Sequence, residues 1–190
     1  MLKLVTEVKL VSKEGYIVIG LPKGEVFLIP WTEQWNKEFI KEEELINGEI
    51  GKIILRIHHI GSTAVKYLSA KPIIDIAIEI RDINDGLLCV SGLERLGYSY
   101  KGTNILPERH YFNKGEPRTH QIHMFQIGNE YLKKQLMFRD YLIENKQARQ
   151  QYQQLKETLS KKHNTNKLAY TDAKTEFINA ILSNAIPGRQ

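Results

Sequence analysis

Isoleucine at every second position between Pro72 and Ile80 is the feature that most constrains the fold of this chain. Side chains along a β-strand alternate between the two faces of a sheet, so this spacing predicts a strand with one wholly apolar face in the core. Asp75 falls on the other face, which is open to a ligand or a packed helix. The apolar face consists of Ile74, Ile76, Ile78 and Ile80.

The segment His59-Ile60-Gly61-Ser62-Thr63 predicts a tight turn ahead of that strand, after an earlier strand from Ile53 to His59. A Gly-Ser pair at the start of a short helix presents backbone N–H groups and a hydroxyl to a phosphate. An aspartate on the neighbouring strand can hold the cation that a phosphate carries. This layout predicts a nucleotidyltransferase site in which Gly61, Ser62 and Thr63 bind substrate and Asp75 acts in catalysis.

Asp75 needs a partner, because an unpaired buried carboxylate is costly. Two alternatives are open: a structural bond to a cation or to the Gly-Ser turn, and a contact with a metal or a substrate. Two-metal phosphoryl transfer requires carboxylates that converge on ions roughly 3.5–4 Å apart. The nearest position on the same face is Ala77, and the Cα of Glu79 lies about 13 Å along the strand. We therefore expect Glu79 to be a surface or salt-bridge residue.

A second strand, predicted from Thr119 to Gln126, offers further polar side chains. If its apolar residues face the core, Gln121 and His123 face the same cleft as Asp75. Histidine favours zinc or manganese over magnesium, and it can also carry a proton. We expect Asp75 and His123 to be catalytic and to ligate the metal, and Gln121 to contact the substrate. A hydrogen bond within the sheet is the alternative for His123.

Four cationic residues are expected at the rim of this cleft: Lys71, Lys101, Arg109 and Arg118. Arginine binds phosphate through two parallel hydrogen bonds, so both arginines are predicted to contact the phosphates of a substrate. Lys71 is predicted to bind substrate or to pair with Asp75. His59 is expected to brace the Gly-Ser turn, with a ligand role as the alternative.

Composition limits the class of protein. The chain has 190 residues, 42% of them hydrophobic and 26% charged, which suits a globular protein with one main core. No apolar run approaches the roughly 20 residues that span a bilayer, and we expect no membrane partner. Cys89 is the single cysteine, so no internal disulfide forms and a cytoplasmic location is expected. Its apolar neighbours predict that Cys89 is a small core residue.

The formal net charge is +5, and the isoelectric point is about 9.1. This balance permits an anionic partner such as a nucleotide or another phosphorylated small molecule, and we do not expect nucleic acid. Much of the positive charge lies between Tyr131 and Lys167, as a solvated helix face or as a wall that attracts phosphates. RNA binding through that stretch is a weaker alternative, and the oligomeric state is left open.

The order of the predicted elements indicates an α+β domain with a C-terminal helical layer. Alternating apolar residues up to Ile29 predict an N-terminal hairpin or small meander. Short strands are predicted from Tyr98 to Lys101 and from His110 to Asn113. Helices are predicted from Glu33 to Asn47 after the N-cap Thr32, from Asp82 to Leu96, from Glu130 to His163 with a break near Asn145, and from Thr171 to Asn184.

From His59 to Ile76 the sequence HIGSTAVKYLSAKPIIDI resembles HIGSTAVPGLAAKPIIDI, the central signature of the GrpB family. The resemblance covers about Phe27 to Ala185, so the chain is predicted to have an N-terminal β extension at 1–26 before a GrpB-like domain at 27–190. It continues through Arg118–Phe125, Phe138–Leu142, Tyr152, Leu155-Lys156, Tyr170, Lys174, Phe177 and Ile178.

The resemblance implies a nucleotidyltransferase-like fold related to polymerase β, with a mixed sheet, flanking helices and a C-terminal helical layer. It implies metal-dependent transfer of a nucleotidyl group from a nucleoside triphosphate to an unknown acceptor, with magnesium, manganese or zinc as cofactor. Gly61-Ser62 and Asp75 match the superfamily pattern, whereas Ala77 replaces its second acid and Lys66-Tyr67 replaces the family's Pro-Gly. The alternative is a non-catalytic module that binds a nucleotide or a coenzyme A-related ligand, or that assists folding.

Overall fold

A computed structural model describes residues 19–103 and 108–185 of the chain. Over these residues the chain forms a five-stranded sheet with α-helices on both faces. The strands are β1 Ile54–Ile60, β2 Ile74–Ile80, β3 Tyr98–Tyr100, β4 Arg109–Lys114 and β5 His120–Gln126. The helices are α1 Glu33–Ile50, α2 Asp85–Leu88, α3 Val90–Arg95, α4 Glu130–Glu144, α5 Lys146–Lys162, α6 Lys167–Asp172 and α7 Thr175–Ala185.

The sheet is mixed, with the strand order β1-β2-β5-β4-β3. Its central pair, β2 and β5, is parallel, and the other neighbouring strands are antiparallel. The register of the central pair places Asp75 beside Gln121 and Ala77 beside His123. Because directly paired residues point to the same face, all four share one face of the sheet.

The opposite face of the sheet is the main core, as the isoleucine spacing predicts. Ile74, Ile76, Ile78 and Ile80 are fully buried, and Trp35 and Ile46 of α1 pack against them. Helix α1 begins where expected, since the Thr32 side chain accepts a hydrogen bond from the backbone N–H of Gln34. Cys89 is buried in this core, and burial raises the pKa of its thiol to about 11.

The C-terminal helices cover the face that carries Asp75. The break predicted near Asn145 is present, because its side chain caps α5 by accepting a hydrogen bond from the Ala148 N–H. Tyr152 and Ile181 form a second core with residues that follow the Gly-Ser turn, such as Leu68. The α+β class, with a mixed sheet, flanking helices and a C-terminal helical layer, is therefore confirmed.

Two helix predictions are wrong in detail. The segment predicted as one helix from Asp82 to Leu96 is the pair α2 and α3, because the Cys89 N–H bonds to the Gly86 carbonyl in a tighter turn. The last helix starts earlier than predicted, as α6, because Asn166 caps a separate helix by accepting a bond from the Ala169 N–H. None of the helices within 19–103 and 108–185 is long and apolar enough to cross a bilayer.

The N-terminal hairpin is not formed by residues 19–29. Leu21 bridges to Arg118 and Ile29 bridges to Ala70, so these two points of the segment pair with different parts of the chain. The remainder of that prediction, and most of the β extension at 1–26, lies outside the described residues. Glu79 is a salt-bridge residue as expected: its Oε1 lies 3.7 Å from Arg56 Nη1, and it also lies 2.7 Å from His58 Nε2.

Candidate functional site

A cleft of about 570 Å³ lies between the Asp75 face of the sheet, the Gly61-Ser62 turn and helices α4 to α7. Seven of the nine residues predicted from the sequence to form a site line it. Asp75 and the Gly-Ser turn therefore line one cleft. The seven are Gly61, Ser62, Thr63, Lys71, Asp75, Gln121 and His123.

The Gly-Ser turn and Asp75 are in close contact. Gly61 follows β1 with a φ of +72°, a backbone conformation that favours glycine. A Cβ at this position would lie 2.6 Å from Oδ2 of Asp75, so the turn leaves no room for a side chain. The turn continues as a 3₁₀ helix over Ser62–Ala64, and the Ser62 side chain lies beside the Tyr152 hydroxyl.

A hydrogen-bond network fixes the orientation of Asp75. Gln121 donates from Nε2 to Asp75 Oδ1 at 2.6 Å. The Tyr111 hydroxyl donates to Gln121 Oε1 at 2.5 Å, and Arg118 donates to the same oxygen at 3.3 Å. With two donors on its oxygen, the Gln121 amide can only turn its NH₂ group toward Asp75. Arg118 thus lies behind Gln121 and does not line the cleft.

His123 lies 4.0 Å from Asp75, measured from Nε2 to Oδ1. Arg109 donates to His123 Nδ1 at 3.0 Å, so the neutral ring carries its proton on Nε2. Burial, followed by the Arg109 charge, lowers the pKa of His123 to about 3, so the ring is neutral near pH 7. In this arrangement His123 presents an N–H to the cleft, whereas a metal ligand must present a lone pair.

Arg109 is not at the rim of the cleft, where it was predicted to lie. Its guanidinium is buried, lies over the Tyr111 ring at 5.0 Å and contacts His123 from behind. Arg109 is therefore not placed to contact a phosphate in the cleft as predicted, and instead it orients the His123 ring. The alternation of side chains along a strand predicts the face on which Arg109 lies. It does not predict that this long side chain packs behind His123 instead of extending to the rim.

Thr63 is buried, and its hydroxyl is already occupied. It donates to the Ile73 carbonyl at 3.4 Å and lies 3.0 Å from His59 Nε2. His59 therefore braces the turn as predicted, and it stacks on Phe39 with ring centroids 4.6 Å apart. Burial, then the nearby Arg139 charge, lowers the pKa of His59 to about 3, which keeps the imidazole neutral.

The carboxyl group of Asp75 is partly enclosed, with 27% of the side chain exposed. Burial raises the pKa of Asp75, while the charge of Lys71 and the bond from Gln121 lower it. Among the described residues that line the cleft, Asp75 is the only carboxylate. One carboxylate beside ammonium groups is a poor donor set for magnesium or manganese, which prefer several oxygen ligands. The cleft by itself does not fit the metal that the sequence predicted.

Positive charge dominates the rest of the cleft. Burial, then the charge of Lys71, lowers to about 8 the pKa values of Lys174, which lines the cleft, and of Lys167, which does not line it but lies close enough to feel the same charge. Arg118 also lowers the pKa of Lys71, which shows that it lies near the same group of charges. Crowded ammonium groups of this kind bind anions well, because an anion relieves their repulsion. The cationic residues that line the cleft are Lys71, Lys134, Arg139, Lys156 and Lys174.

Lys156 is the most deeply buried of these cations. Its side chain is 1% exposed, and the ammonium donates to the Ser69 carbonyl. Burial, then the charges of Lys174 and Lys71, lowers the pKa of Lys156 well below its ordinary value. Neither Lys156 nor Lys174 was predicted from the sequence to belong to the site. A signal was present, because Lys156 lies one helical turn after Tyr152, on the buried stripe of α5.

The chain matches the family model described as GrpB protein over residues 25–184. UPF0157 protein YqkA of Bacillus subtilis is 38% identical over 165 residues, which cover 86% of this chain and 48% of that protein. The chain thus spans about half the length of that relative. Glutamate-rich protein GrpB of Alkalihalophilus pseudofirmus is 31% identical over 172 residues, covering 87% of this chain and 99% of that protein.

Among solved structures, the conserved protein GrpB from Enterococcus faecalis matches with a TM-score of 0.78 and 34% identity. The match covers 84% of this chain and 96% of that one. The Cid1 poly(U) polymerase, with MgGTP bound, gives a TM-score of 0.41 at 9% identity, a likeness too slight to support an inference. The family model, the curated relatives and the first of these structures agree that the chain belongs to the GrpB family.

Proposed function

We propose that the cleft binds a phosphorylated small molecule of the nucleotide class. The cationic side chains gathered around one carboxylate carry this proposal. After burial, the charge of Lys71 lowers the pKa values of Lys167 and Lys174, and the charge of Lys167 lowers that of Lys174 further. The positive charge in and around the free cleft therefore exceeds the single negative charge of Asp75. Phosphate groups would supply the missing negative charge, and charge-assisted hydrogen bonds would hold them.

The shape of the cleft suits a ligand with an apolar part as well as phosphates. A volume of about 570 Å³ is in the range of pockets that enclose small organic ligands. Apolar side chains from α4 and α7, among them Phe138, Leu142 and Ile178, form part of its wall. A nucleoside or a coenzyme A-related group can pack there while its phosphates reach the lysines. This supports the alternative of a non-catalytic binding module.

The second candidate is nucleotidyl transfer from a nucleoside triphosphate to an unknown acceptor. It is favoured by the contact between Asp75 Oδ2 and the Gly61 turn, because a phosphate held by that turn would lie beside a carboxylate. The cation for this reaction would have to arrive with the triphosphate, since Asp75 is the one carboxylate found in the described lining. The geometry therefore supports binding more directly than transfer.

Calorimetry with nucleoside mono-, di- and triphosphates and with coenzyme A tests the binding function. We expect affinity to rise with the number of phosphates and to fall about tenfold in Lys71→Met, a loss of about 1.4 kcal/mol. The matched control is Lys133→Met, because Lys133 is exposed on α4 and pairs with Glu130 at 2.7 Å. Equal losses in both variants, or no binding by the unmodified protein, would contradict the proposal.

Asp75→Asn separates the two candidates. If the cleft only binds anions, removal of its carboxylate should leave triphosphate affinity unchanged or improve it, because one negative charge is lost. If the protein transfers nucleotidyl groups, release of pyrophosphate from labelled triphosphates should be measurable and should disappear in Asp75→Asn. Turnover that persists in this variant would rule out the proposed role of Asp75.

A further inference from the structure

We propose that Glu38, Glu42 and His120 form a site for a divalent first-row transition metal on the face of the sheet opposite the cleft. The nearest ligand atoms of these three side chains lie within 4.8 Å of one another. The proposal does not depend on the function proposed for the cleft. None of the three residues was predicted from the sequence to belong to a site.

Local structure brings the two carboxylates together. Glu38 and Glu42 are one turn apart on α1, so their side chains project from the same side of the helix. His120 is the first residue of β5 and shares the face of Ile122, which packs toward α1. The site therefore joins α1 to the start of the strand that, on its other face, carries Gln121 and His123.

The hydrogen bonds of His120 set the tautomer that a metal requires. Thr119 donates its hydroxyl hydrogen to the Lys114 carbonyl at 3.1 Å, so its oxygen accepts from His120 Nδ1 at 3.0 Å. The proton of the neutral ring is thus on Nδ1, and Nε2 carries a lone pair. A metal-bound histidine commonly donates its other ring N–H to a nearby oxygen in this way.

That lone pair has no hydrogen-bond partner within the part of the chain that the structure describes. His120 is 3% exposed, and its Nε2 points toward the carboxylates, 3.7 Å from Glu38 Oε1. Burial lowers the pKa of His120, with the charge of Lys114 acting in the same direction and Glu42 opposing it. A buried acceptor without a donor is costly, and a cation between it and the two glutamates would remove that cost.

One contact competes with the metal. Lys114 donates to Glu42 Oε1 at 2.7 Å, and Glu42 is 2% exposed. This ion pair neutralises one carboxylate and leaves Glu38 and His120 available. The alternative is therefore a purely ionic cluster, in which Lys114 and a protonated His120 balance the two glutamates.

The donor set indicates which ions to use as probes. Two carboxylates and one imidazole suit zinc, manganese or cobalt better than calcium or magnesium, which favour oxygen ligands alone. A cavity of about 440 Å³ adjoins the three side chains, so water can complete the coordination shell. Cobalt is the most informative probe, because its visible spectrum reports on the ligands.

The experiment uses the full chain, stripped of metal with a chelator and dialysed against cobalt or zinc chloride. We expect one bound equivalent, a raised melting temperature and visible cobalt bands. Glu38→Gln should weaken binding at least about tenfold, and the fold should tolerate the change because the Glu38 side chain is 25% exposed. Two variants should keep the bound equivalent: His58→Gln, whose imidazole contacts Glu79 elsewhere, and Asp75→Asn in the cleft.

A second variant protects the test against misfolding. Thr119→Val removes the oxygen that holds His120 and should weaken binding roughly 10-fold to 100-fold without removing a ligand. The ionic alternative predicts no metal-dependent change in melting temperature for any variant. Absence of stoichiometric binding, or binding that survives both Glu38→Gln and His120→Gln, would overturn the proposal. Loss of binding in Asp75→Asn alone would place the metal in the cleft instead.

Discussion

At the scale of single residues, position 61 is the one in the described lining of the cleft at which backbone conformation and lack of space both favour glycine. It needs a positive φ and lies against the Asp75 carboxyl group. Gly24 also has a positive φ, +85°, but a Cβ added there would meet no described atom within 4 Å. The two glycines therefore separate the cost of backbone conformation from the cost of crowding Asp75.

We expect Gly61→Ala to lower the free energy of unfolding by about 2–4 kcal/mol and Gly24→Ala by about 1 kcal/mol. The difference arises because the added methyl group of Gly61→Ala must displace Asp75. Urea denaturation of both variants measures the two values. Equal losses would show that the carboxyl group moves aside without cost.

Tyr67 is the one described residue other than glycine with a positive φ, +69°. It stands where the GrpB signature has glycine, so the backbone conformation is kept although the residue that favours it is absent. Its ring is 70% exposed and contacts the Lys66 and Arg149 side chains. These contacts offset only part of the conformational cost.

Tyr67→Gly should raise the free energy of unfolding by up to about 1 kcal/mol, because relief of the backbone outweighs the lost contacts. Tyr67→Ala should lower it, because alanine keeps the unfavourable φ and also loses those contacts. Thermal unfolding of the pair gives the order of stability. An alanine variant as stable as the glycine variant would show that the conformation carries little cost.

At the scale of elements, strand alternation was enough to predict one side of the cleft. Asp75, Gln121 and His123 share a face. The alternation of side chains between the two faces of a strand can be counted from the sequence alone. Helix periodicity predicts which face of α5 is buried but not what that face meets. The approach of Lys156 to the Ser69 carbonyl, and of His120 to Glu38, depends on long-range packing that neither pattern contains.

The junction between α6 and α7 gives a test of whether the cationic residues that line the cleft bind anions. Lys174 lies at this junction, and its ammonium is 4.5 Å from the centre of the Tyr170 ring. Burial lowers the pKa of Lys174 to about 8, so the charged form is unfavourable in the free protein. Lys174→Met should therefore raise the melting temperature of the free protein and weaken binding of phosphorylated ligands.

Lys174→Arg is the matched control, because it keeps the charge and should not stabilise the free protein. Differential scanning fluorimetry with and without a triphosphate measures both effects at once. A lower melting temperature in Lys174→Met would mean that the ammonium stabilises the free fold, contrary to the electrostatic argument.

At the scale of the whole molecule, the lysines link stability to pH. Lys167 and Lys174 have pKa values of about 8 in the folded protein, against about 10.4 for an unfolded chain. Between these values the unfolded chain binds more protons, so these groups make the free energy of unfolding rise with pH. The rise should be clearest from about pH 8 to 9.5, before tyrosines of the unfolded chain ionise near pH 10.

Ligand binding should also depend on pH, but in the opposite direction, because the bound state of the folded protein holds more protons than the free state. A bound phosphate favours the ammonium forms, so near pH 8 binding should take up protons, and affinity should fall as the pH rises further. Calorimetry in buffers of different ionisation enthalpy measures the uptake. The double variant Lys167→Met/Lys174→Met should lose it. Proton release, or no pH dependence, would contradict an anion site whose ligand interacts with the charges of these lysines.

Strand β5 has a consequence for how the molecule tolerates change. His120 and Gln121 are adjacent in the chain, yet one side chain points toward the glutamates of α1 and the other toward Asp75. A slip of one residue in the pairing of β5 exchanges the faces of all its side chains. A single deletion or insertion just ahead of this strand would thus move the His120 imidazole to the Asp75 side of the sheet and the Gln121 amide to the side of the glutamates. A change in strand register therefore cannot alter one site without also altering the other.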